Sequence, residues 1–473
     1  MSKYYLGIDL GSTTSKAIII DEKEEIIGRG ITNTRANYAV AAEIAKQQAV
    51  FNARFQLLKK IIETETQSRP EYLRYLNDIE NVFQYLQFHI RLQKLKEKML
   101  ETANAIHTPE SRAKIIPIIE EILEKIDKEV EDDYLMHDLL KKNQFFRDIV
   151  SERYNFKVAK VEKKLFDPLM TLYDKSINPI ENEIIPFYFK TLVDKSLVLL
   201  HEKYESLTKK TPDASFDNFD QELSILMGNY QTISGTLEKH INEIADRSID
   251  IVNMVGTGYG RALLPFPQES IKSEILCHAF GAHAIFPKTR TLLDIGGQDT
   301  KAIQVDEFGL VTSFHMNDRC AAGCGRYLGY IADELNISLS ELSPLAMTAT
   351  KESTICSTCT VFAGAELREL MNAGENTGNI LAGLHKAIVM RAISLIARSG
   401  GVKNEFTFTG GVARNKAVLK YVTQMVHENY GNNITINVDI DSIYMGALGA
   451  ALFARKNITV ALPKGTKEAT VGY

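Results

Sequence analysis

Glycine is missing from the chain between Gly30 and Gly228, although the 473 residues hold 29 of them. A stretch that long without glycine supplies no turns in which backbone amides come close to a phosphate. Cysteine is also scarce. Five residues, an odd number in a chain of this size, make no disulfide framework, and a reduced, cytoplasmic setting is expected. No excess of positive charge exists, since the net charge is -5 and the pI about 6.1, so nucleic acid is not an expected partner. No uninterrupted apolar run approaches the roughly 20 residues of a membrane helix, so no membrane association is expected. The N-terminal residues Met1 to Asp9 turn polar too soon for a secretory signal.

What is present is organised around two short cysteine runs. One is Asn317-Asp318-Arg319-Cys320-Ala321-Ala322-Gly323-Cys324-Gly325-Arg326, and the other is Cys356-Ser357-Thr358-Cys359. Apolar residues at helical spacing follow each: Tyr327, Leu328, Ile331 and Leu335 after the first, and Val361, Phe362, Ala365, Leu367 and Leu370 after the second. A thiol at a helix N-terminus faces unpaired amides and the positive end of the dipole, which favours the metal-binding thiolate. Such a pair of runs suits a soft cation or an iron–sulfur cluster.

Taken in order, the chain starts as an antiparallel meander of strands at 4–9, 16–20 and 24–32. Charged and apolar residues then alternate at helical spacing, as in Leu76, Ile79, Val82, Phe83, Leu86 and Ile90, with prolines expected at helix boundaries. Glycine returns with a strand over 249–255 and the run Gly256-Thr257-Gly258-Tyr259-Gly260-Arg261, which matches a dinucleotide fingerprint only superficially. A helix over 270–280 and three strands at 291–295, 300–305 and 310–314 precede the cysteine runs. A helix over 380–399, a strand over 405–409, a helix over 412–427, a strand over 434–438 and a helix over 442–455 close the chain. The expected division is 1–50 and 236–290 for a first lobe, 51–235 for a helical insertion, and 291–473 for a second lobe carrying the cysteines. The fold class expected is α/β with a large all-α insertion.

The internal repeat is the main chemical signal. Asp9-Leu10-Gly11-Ser12-Thr13-Thr14-Ser15-Lys16 and Asp294-Ile295-Gly296-Gly297-Gln298-Asp299-Thr300-Lys301 share D-x-G-x4-K, each joining two strands. Facing each other, two such hairpins suit a polyphosphate, with glycine amides and hydroxyls donating and the aspartates holding Mg²⁺ or orienting water. Candidate phosphate-side residues are Gly11, Ser12, Thr13, Thr14, Lys16, Gly296 and Gly297, with Asp9, Asp294 and Gln298 as candidates for the chemistry. Thr409-Gly410-Gly411-Val412-Ala413-Arg414-Asn415 reads as a strand–turn–helix junction suited to a nucleotide, through Gly410, Gly411 and Asn415. Gly446-Ala447-Leu448-Gly449-Ala450-Ala451 presents small residues for close helix packing. Cys277 reads as a small buried hydrophobe, and His278 as a packing histidine.

Together these motifs resemble the duplicated actin/sugar-kinase/heat-shock-protein (RNase H-like) ATPase fold. The cysteine runs are similar to those of its BadF/BadG/BcrA/BcrD-type branch. That branch holds the activator ATPases of 2-hydroxyacyl-CoA dehydratases and the ATPase subunits of benzoyl-CoA reductase. The resemblance covers residues 1–35 and about 245–456. It implies ATP and Mg²⁺, the cation lying near Asp9 and Asp294, with phosphate contacts at Ser12, Thr13, Lys16, Gly297 and Gln298. It also implies one [4Fe–4S] cluster shared by two subunits through Cys320 and Cys359. Ferredoxin is the implied electron donor, and an iron–sulfur acyl-CoA-binding reductase or dehydratase the implied acceptor. The second subunit would be either a second copy or a homologous ATPase chain.

Two departures bear on this. Cys324 and Cys356 stand where the activators carry Thr and Ser, so four thiols are present that could close a site within one chain, zinc included. The helical insertion is absent from the short homodimeric activators, which tips the expected system toward the dearomatising benzoyl-CoA reductase. A homodimeric dehydratase activator, a small-molecule kinase and a zinc-binding ATPase module are the alternative readings.

Overall fold

The computed structural model describes residues 3–34, 37–106, 108–135, 145–210, 221–258, 265–317, 324–335, 337–355 and 360–456. Strands β1 (Tyr4–Leu10), β2 (Thr14–Ile20) and β3 (Ile26–Asn33) form the meander read from the sequence. Their burial is nearly continuous along β1 and β2, as expected of strands covered on both faces.

Seven helices follow: α1 (Tyr38–Glu65), α2 (Pro70–Ile106), α3 (Pro109–Leu135), α4 (Phe146–Val158), α5 (Lys163–Glu181), α6 (Phe189–Lys210) and α7 (Gln221–Asp246). They build a compact unit over 35–43 and 50–249, with its own core around Phe55, Tyr75, Phe83, Leu95, Ile119, Tyr154 and Leu237. The expected boundary at 235 falls inside α7, which continues to Asp246 because Leu237, Ile241 and Ile244 keep burying one face in that core. Pro70 and Pro109 open helices, where a missing N–H costs nothing. Pro117, Pro168 and Pro179, expected at boundaries, lie inside α3 and α5 instead. Packing of Ile115, Ile119, Leu169 and Leu172 carries these helices past the interruption.

The remaining residues, 1–34, 44–49 and 250–473, form the other unit. Strand β4 (Ile251–Gly258) pairs parallel to β1, giving the order β3-β2-β1-β4. Helix α8 (Glu274–Ile285) leads to β5 (Thr291–Ile295), β6 (Thr300–Val305) and β7 (Val311–Asn317). Helices α9 (Gly325–Leu335), α10 (Leu339–Met347), α11 (Thr360–Asn372) and α12 (Thr377–Ser399) come next. The chain then forms β8 (Phe406–Thr409), α13 (Lys416–Tyr430), β9 (Ile436–Asn437) and α14 (Met445–Lys456). The second sheet has the order β7-β6-β5-β8-β9, with β8 parallel to β5 and β9 parallel to β8. Two similar sheets, each a meander plus a parallel strand, make this the duplicated actin/sugar-kinase/heat-shock-protein-like ATPase fold.

One expectation is corrected here. Residues 291–473 do not all belong with the second sheet, because α14 packs on β1, β2, β4 and α8. Small residues permit that approach: a Cβ on Gly7 would stand 2.0 Å from the Ala447 carbonyl oxygen, and one on Gly449 would stand 1.8 Å from that of Cys277. The reading of apolar run length is unchanged, because Lys386 and Arg391 interrupt the apolar residues of α12. Helix α12 is long and apolar enough to cross a membrane, with a mean hydropathy of 1.7 over its window. Its Ile380, Leu384, Ile388, Val389 and Ile396 are buried in the core around Leu293, Phe406 and Phe408, which accounts for that composition.

Candidate functional site

The duplicated hairpins correspond in register. Asp9 pairs with Lys16 across β1 and β2, and Asp294 pairs with Lys301 across β5 and β6. The parallel strands extend the repeat. Thr257 lies beside Asp9 and Thr409 beside Asp294, and each threonine is followed by a glycine at positive φ, 131° at Gly258 and 90° at Gly410. A Cβ on Gly258 would fall 2.3 Å from the Leu10 carbonyl oxygen, and one on Gly410 would fall 2.2 Å from that of Ile295. Both glycines are required by the same close approach. The run Gly256-Thr257-Gly258 is therefore the first-sheet counterpart of Thr409-Gly410, a role its superficial likeness to a dinucleotide motif hid.

The turns of the two hairpins meet. A Cβ on Gly297 would lie 1.9 Å from Thr13 Oγ1, so only glycine leaves room there. The Thr34 hydroxyl donates to the Gly11 carbonyl at 2.5 Å, and the Thr34 amide donates to the Thr13 carbonyl at 2.8 Å, fixing the first turn from outside. Gly11, Ser12 and Thr14 are half-buried and Thr13 is exposed, with backbone amides at the strand ends.

The charged pairs are not equivalent. Lys16 Nζ is 3.2 Å from Asp9 Oδ2. Lys301 Nζ is surrounded by Asp299 at 2.7 Å, Glu274 at 3.1 Å and Asp294 at 3.4 Å, with only 1% of its side chain exposed. Burial works against the Lys301 ammonium, yet these carboxylates hold its pKa well above the usual value. Asp294 is likewise saturated. Its Oδ1 accepts from the Thr409 hydroxyl at 2.9 Å and lies 3.2 Å from His278 Nδ1. Burial alone would raise its pKa, but His278 and Lys301 hold it well below the usual carboxylate range. Burial raises Glu274 above its ordinary value, opposed by Lys301. Asp9 is different, since its buried Oδ1 makes no hydrogen bond. An orphaned carboxylate oxygen at this depth fits a cation or an oriented water, so Asp9 suits the Mg²⁺ role better than Asp294 does.

His278, read from the sequence as a packing residue, lies between the two hairpins. It is 5% exposed, with Nδ1 toward Asp294 and Nε2 4.0 Å from Asp9 Oδ2. Helix α8 carries it there because the helix packs on α14 and also contacts β5 and β6. Asp9 and Asp294 are remote from it in sequence, while Glu274, one turn earlier on α8, is the one local signal the sequence offered. Cys277 is buried in an apolar cluster, as expected, and burial pushes its thiol well up.

At the Gly410-Gly411 turn a short 3₁₀ segment, Gly411–Arg414, delays the helix expected from 412, and α13 starts at Lys416. Asn415 caps it. Its Oδ1 accepts from the Val418 amide at 3.0 Å, and its Nδ2 lies 3.1 Å from His385 Nε2. The His385 Nδ1 in turn lies 2.6 Å from the Leu381 carbonyl, so Nδ1 carries the proton and Nε2 accepts from Asn415. The Asn415 side chain is thus engaged by the fold, while Gly410 and Gly411 leave backbone at the strand end.

The second hairpin is bonded to the cysteine segment. The Gly325 and Arg326 amides, the first of α9, donate to the Gly296 and Gly297 carbonyls at 2.9 and 2.7 Å. The Gln298 side-chain amide faces the Arg326 guanidinium, and turned so that its oxygen points to α9 it would accept from it at 2.5 to 3.2 Å. Cys324, immediately before α9, is buried. Cys320, Cys356 and Cys359, and with them the cluster geometry, lie outside the described residues.

The sequence pattern of the BadF/BadG/BcrA/BcrD ATPase family matches residues 6–454. The chain belongs to that family. Among relatives of this ATPase, the (R)-2-hydroxyglutaryl-CoA dehydratase activating ATPase of Acidaminococcus fermentans is 42% identical over 207 residues, 44% of this chain and 76% of that protein. The 2-hydroxyisocaproyl-CoA dehydratase activator of Clostridioides difficile is 39% identical over 47% of this chain and 80% of its own length. A benzoyl-CoA reductase subunit from Thauera aromatica is 32% identical over 45% of this chain and 74% of its own. The crystal structure of the Acidaminococcus fermentans (R)-2-hydroxyglutaryl-CoA dehydratase component A aligns with a TM-score of 0.51 at 23% identity. That alignment spans 96% of this chain and 99% of that one, and it supports the fold.

Proposed function

We propose that this ATPase is the electron-delivering subunit of an acyl-CoA enzyme system, in which ATP hydrolysis drives electrons at low potential into an iron–sulfur partner. The observation that carries the reading is the bonded path from the second hairpin to α9. The Gly296 and Gly297 carbonyls accept from the Gly325 and Arg326 amides, immediately after Cys324, and the Gln298 amide faces the Arg326 guanidinium. A triphosphate received by the amides of Gly11–Thr14 and Gly296–Gln298 would shift that turn. The α9 N-terminus, hydrogen-bonded to it, would shift with it. Lys16 supplies counter-charge to the phosphates, and Asp9 Oδ1 orients the cation or the attacking water. A [4Fe–4S] cluster held by Cys320 and Cys359, shared with a second chain, supplies one-electron transfer when bound. Cys324 and Cys356 are its candidate extra ligands. Hydrogen bonding and solvent access at the sulfurs are among the features that set such a potential, and these would change as α9 moves.

Ferredoxin is the proposed donor. The helical insertion favours a benzoyl-CoA reductase as acceptor. The higher identity to dehydratase activators, 42% against 32%, supports a 2-hydroxyacyl-CoA dehydratase as the second reading.

The test is iron and acid-labile sulfide per chain after anaerobic purification, with optical spectra recorded before and after ATP. Wild type should carry about half a four-iron cluster per chain in a dimer. Cys359→Ala should lose iron and keep nucleotide binding, and Arg326→Ala should keep iron but lose the ATP-dependent spectral change. Normal iron in Cys359→Ala would remove the ligand assignment. An undiminished ATP response in Arg326→Ala would remove the Gln298–Arg326 link from the proposed path.

A further inference from the structure

Helix α8 brings a second kind of donor to the first hairpin. Ligand atoms of Asp9, Glu274 and His278 lie within 4.8 Å of one another. His278 Nε2 is 3.8 Å from Glu274 Oε1 and 4.0 Å from Asp9 Oδ2. These spacings are too long for hydrogen bonds to the imidazole, and both oxygens are shared with a lysine, Asp9 Oδ2 with Lys16 at 3.2 Å and Glu274 Oε1 with Lys301 at 3.1 Å. Asp9 Oδ1 and His278 Nε2 are buried without a hydrogen-bond partner, at residues only 1% and 5% exposed. Buried polar atoms are rarely left this way. Room for an ion is kept by Gly446 of α14, where a Cβ would stand 2.7 Å from His278 Nε2 and 3.0 Å from Asp9 Oδ2.

The surroundings are rich in anionic oxygen. Among the described residues, the carboxylates of Asp9, Glu274, Asp294 and Asp299 gather around the two ammonium groups of Lys16 and Lys301.

We infer that Asp9, Glu274 and His278 form a divalent-cation site with mixed nitrogen and oxygen donors, formed before nucleotide arrives. The inference deepens the nucleotide reading, since the cation would lie beside the hairpin proposed to receive the phosphates. Its donor set decides which metal it takes. Carboxylate oxygens alone suit Mg²⁺ and Mn²⁺ alike, whereas an added imidazole nitrogen favours first-row transition ions over Mg²⁺. The site is therefore selective for first-row ions over Mg²⁺, and Mn²⁺ is the paramagnetic probe among them.

The experiment titrates Mn²⁺ alone into the metal-free full-length protein, follows free Mn²⁺ by electron paramagnetic resonance, and records pulsed spectra of the bound ion. One Mn²⁺ per chain is expected, displaced by Mg²⁺ only at about tenfold or greater excess, with nitrogen modulation from a coordinated imidazole. In His278→Gln the modulation disappears and Mn²⁺ affinity falls by about tenfold or more. Bound Mn²⁺ without nitrogen modulation, or unchanged modulation in His278→Gln, overturns the proposal. So does failure of Mn²⁺ to bind in the absence of nucleotide. Should His278→Gln not fold, Glu274→Gln is the second arm, with weaker Mn²⁺ binding and the modulation retained. Unchanged Mn²⁺ affinity in Glu274→Gln also overturns the three-ligand site.

Gly297→Val separates this proposal from the nucleotide reading. It should abolish binding of a fluorescent ATP analogue and leave Mn²⁺ affinity intact. Retained nucleotide binding in Gly297→Val counts against the hairpin assignment alone.

Discussion

Lys16 and Lys301 occupy the same place in the same motif and do different work. The spacing D-x-G-x4-K makes both legible as phosphate-side residues. What separates them is invisible to that spacing, because Glu274 comes from α8 and closes around Lys301 only in the folded chain. Lys301→Met would leave three buried carboxylates without their cation and should cost about 3–5 kcal/mol in urea unfolding. Lys16→Met removes one partner at the more exposed end of the site. It should weaken ATP binding, measured calorimetrically, more than it lowers the unfolding midpoint. The reverse ranking would show that the two lysines are misassigned. His278 escapes sequence reading for the same reason, since its chemical neighbours Asp9 and Asp294 are far from it along the chain.

Strands and long helices are legible because their patterns are local. Strand β5 and strand β6 match the expected ranges, and the meander of β1 to β3 differs by a residue or two. Boundaries fail where a tertiary contact or a cap decides the end, as with α13 delayed by the Gly411–Arg414 turn. The final small-residue helix is a close-packing element, as its composition indicates, but its partners belong to the first sheet rather than the second. The crossing of α8 and α14 is so close that a Cβ on Gly281 would stand 2.0 Å from the Met445 carbonyl oxygen. Gly449→Val places branched carbon against the Cys277 backbone and should destabilise the protein by about 1–3 kcal/mol or more. Thermal unfolding measures this, and a neutral result would mean that the two helices do not cross as described.

On the scale of the whole chain, the glycine-free stretch and its helical pattern announce a separate unit, and the structure gives that unit an independent core. Residues 37–249 should therefore fold alone, starting from the Asn37 cap that accepts from the Ala39 amide at 3.0 Å. A cooperative loss of helical circular dichroism on heating is the expected result. A gradual, non-cooperative one would mean the core needs the rest of the chain. The far boundary of the unit is misplaced in the sequence because Ser234-Gly235 looks like a helix stop, yet α7 runs through it to Asp246 with Leu237, Ile241 and Ile244 still buried.

The point of entry of this unit has a consequence for ancestry and engineering. It is spliced between β3 and β4, which lie at opposite edges of one sheet and must be joined by some connection in any case. Each doubling of a flexible connection costs only about 0.6 kcal/mol in closure entropy. A module of this size can thus be gained, exchanged or deleted at that seam with little penalty to the sheet. The same seam is the natural place to graft a foreign domain onto the ATPase.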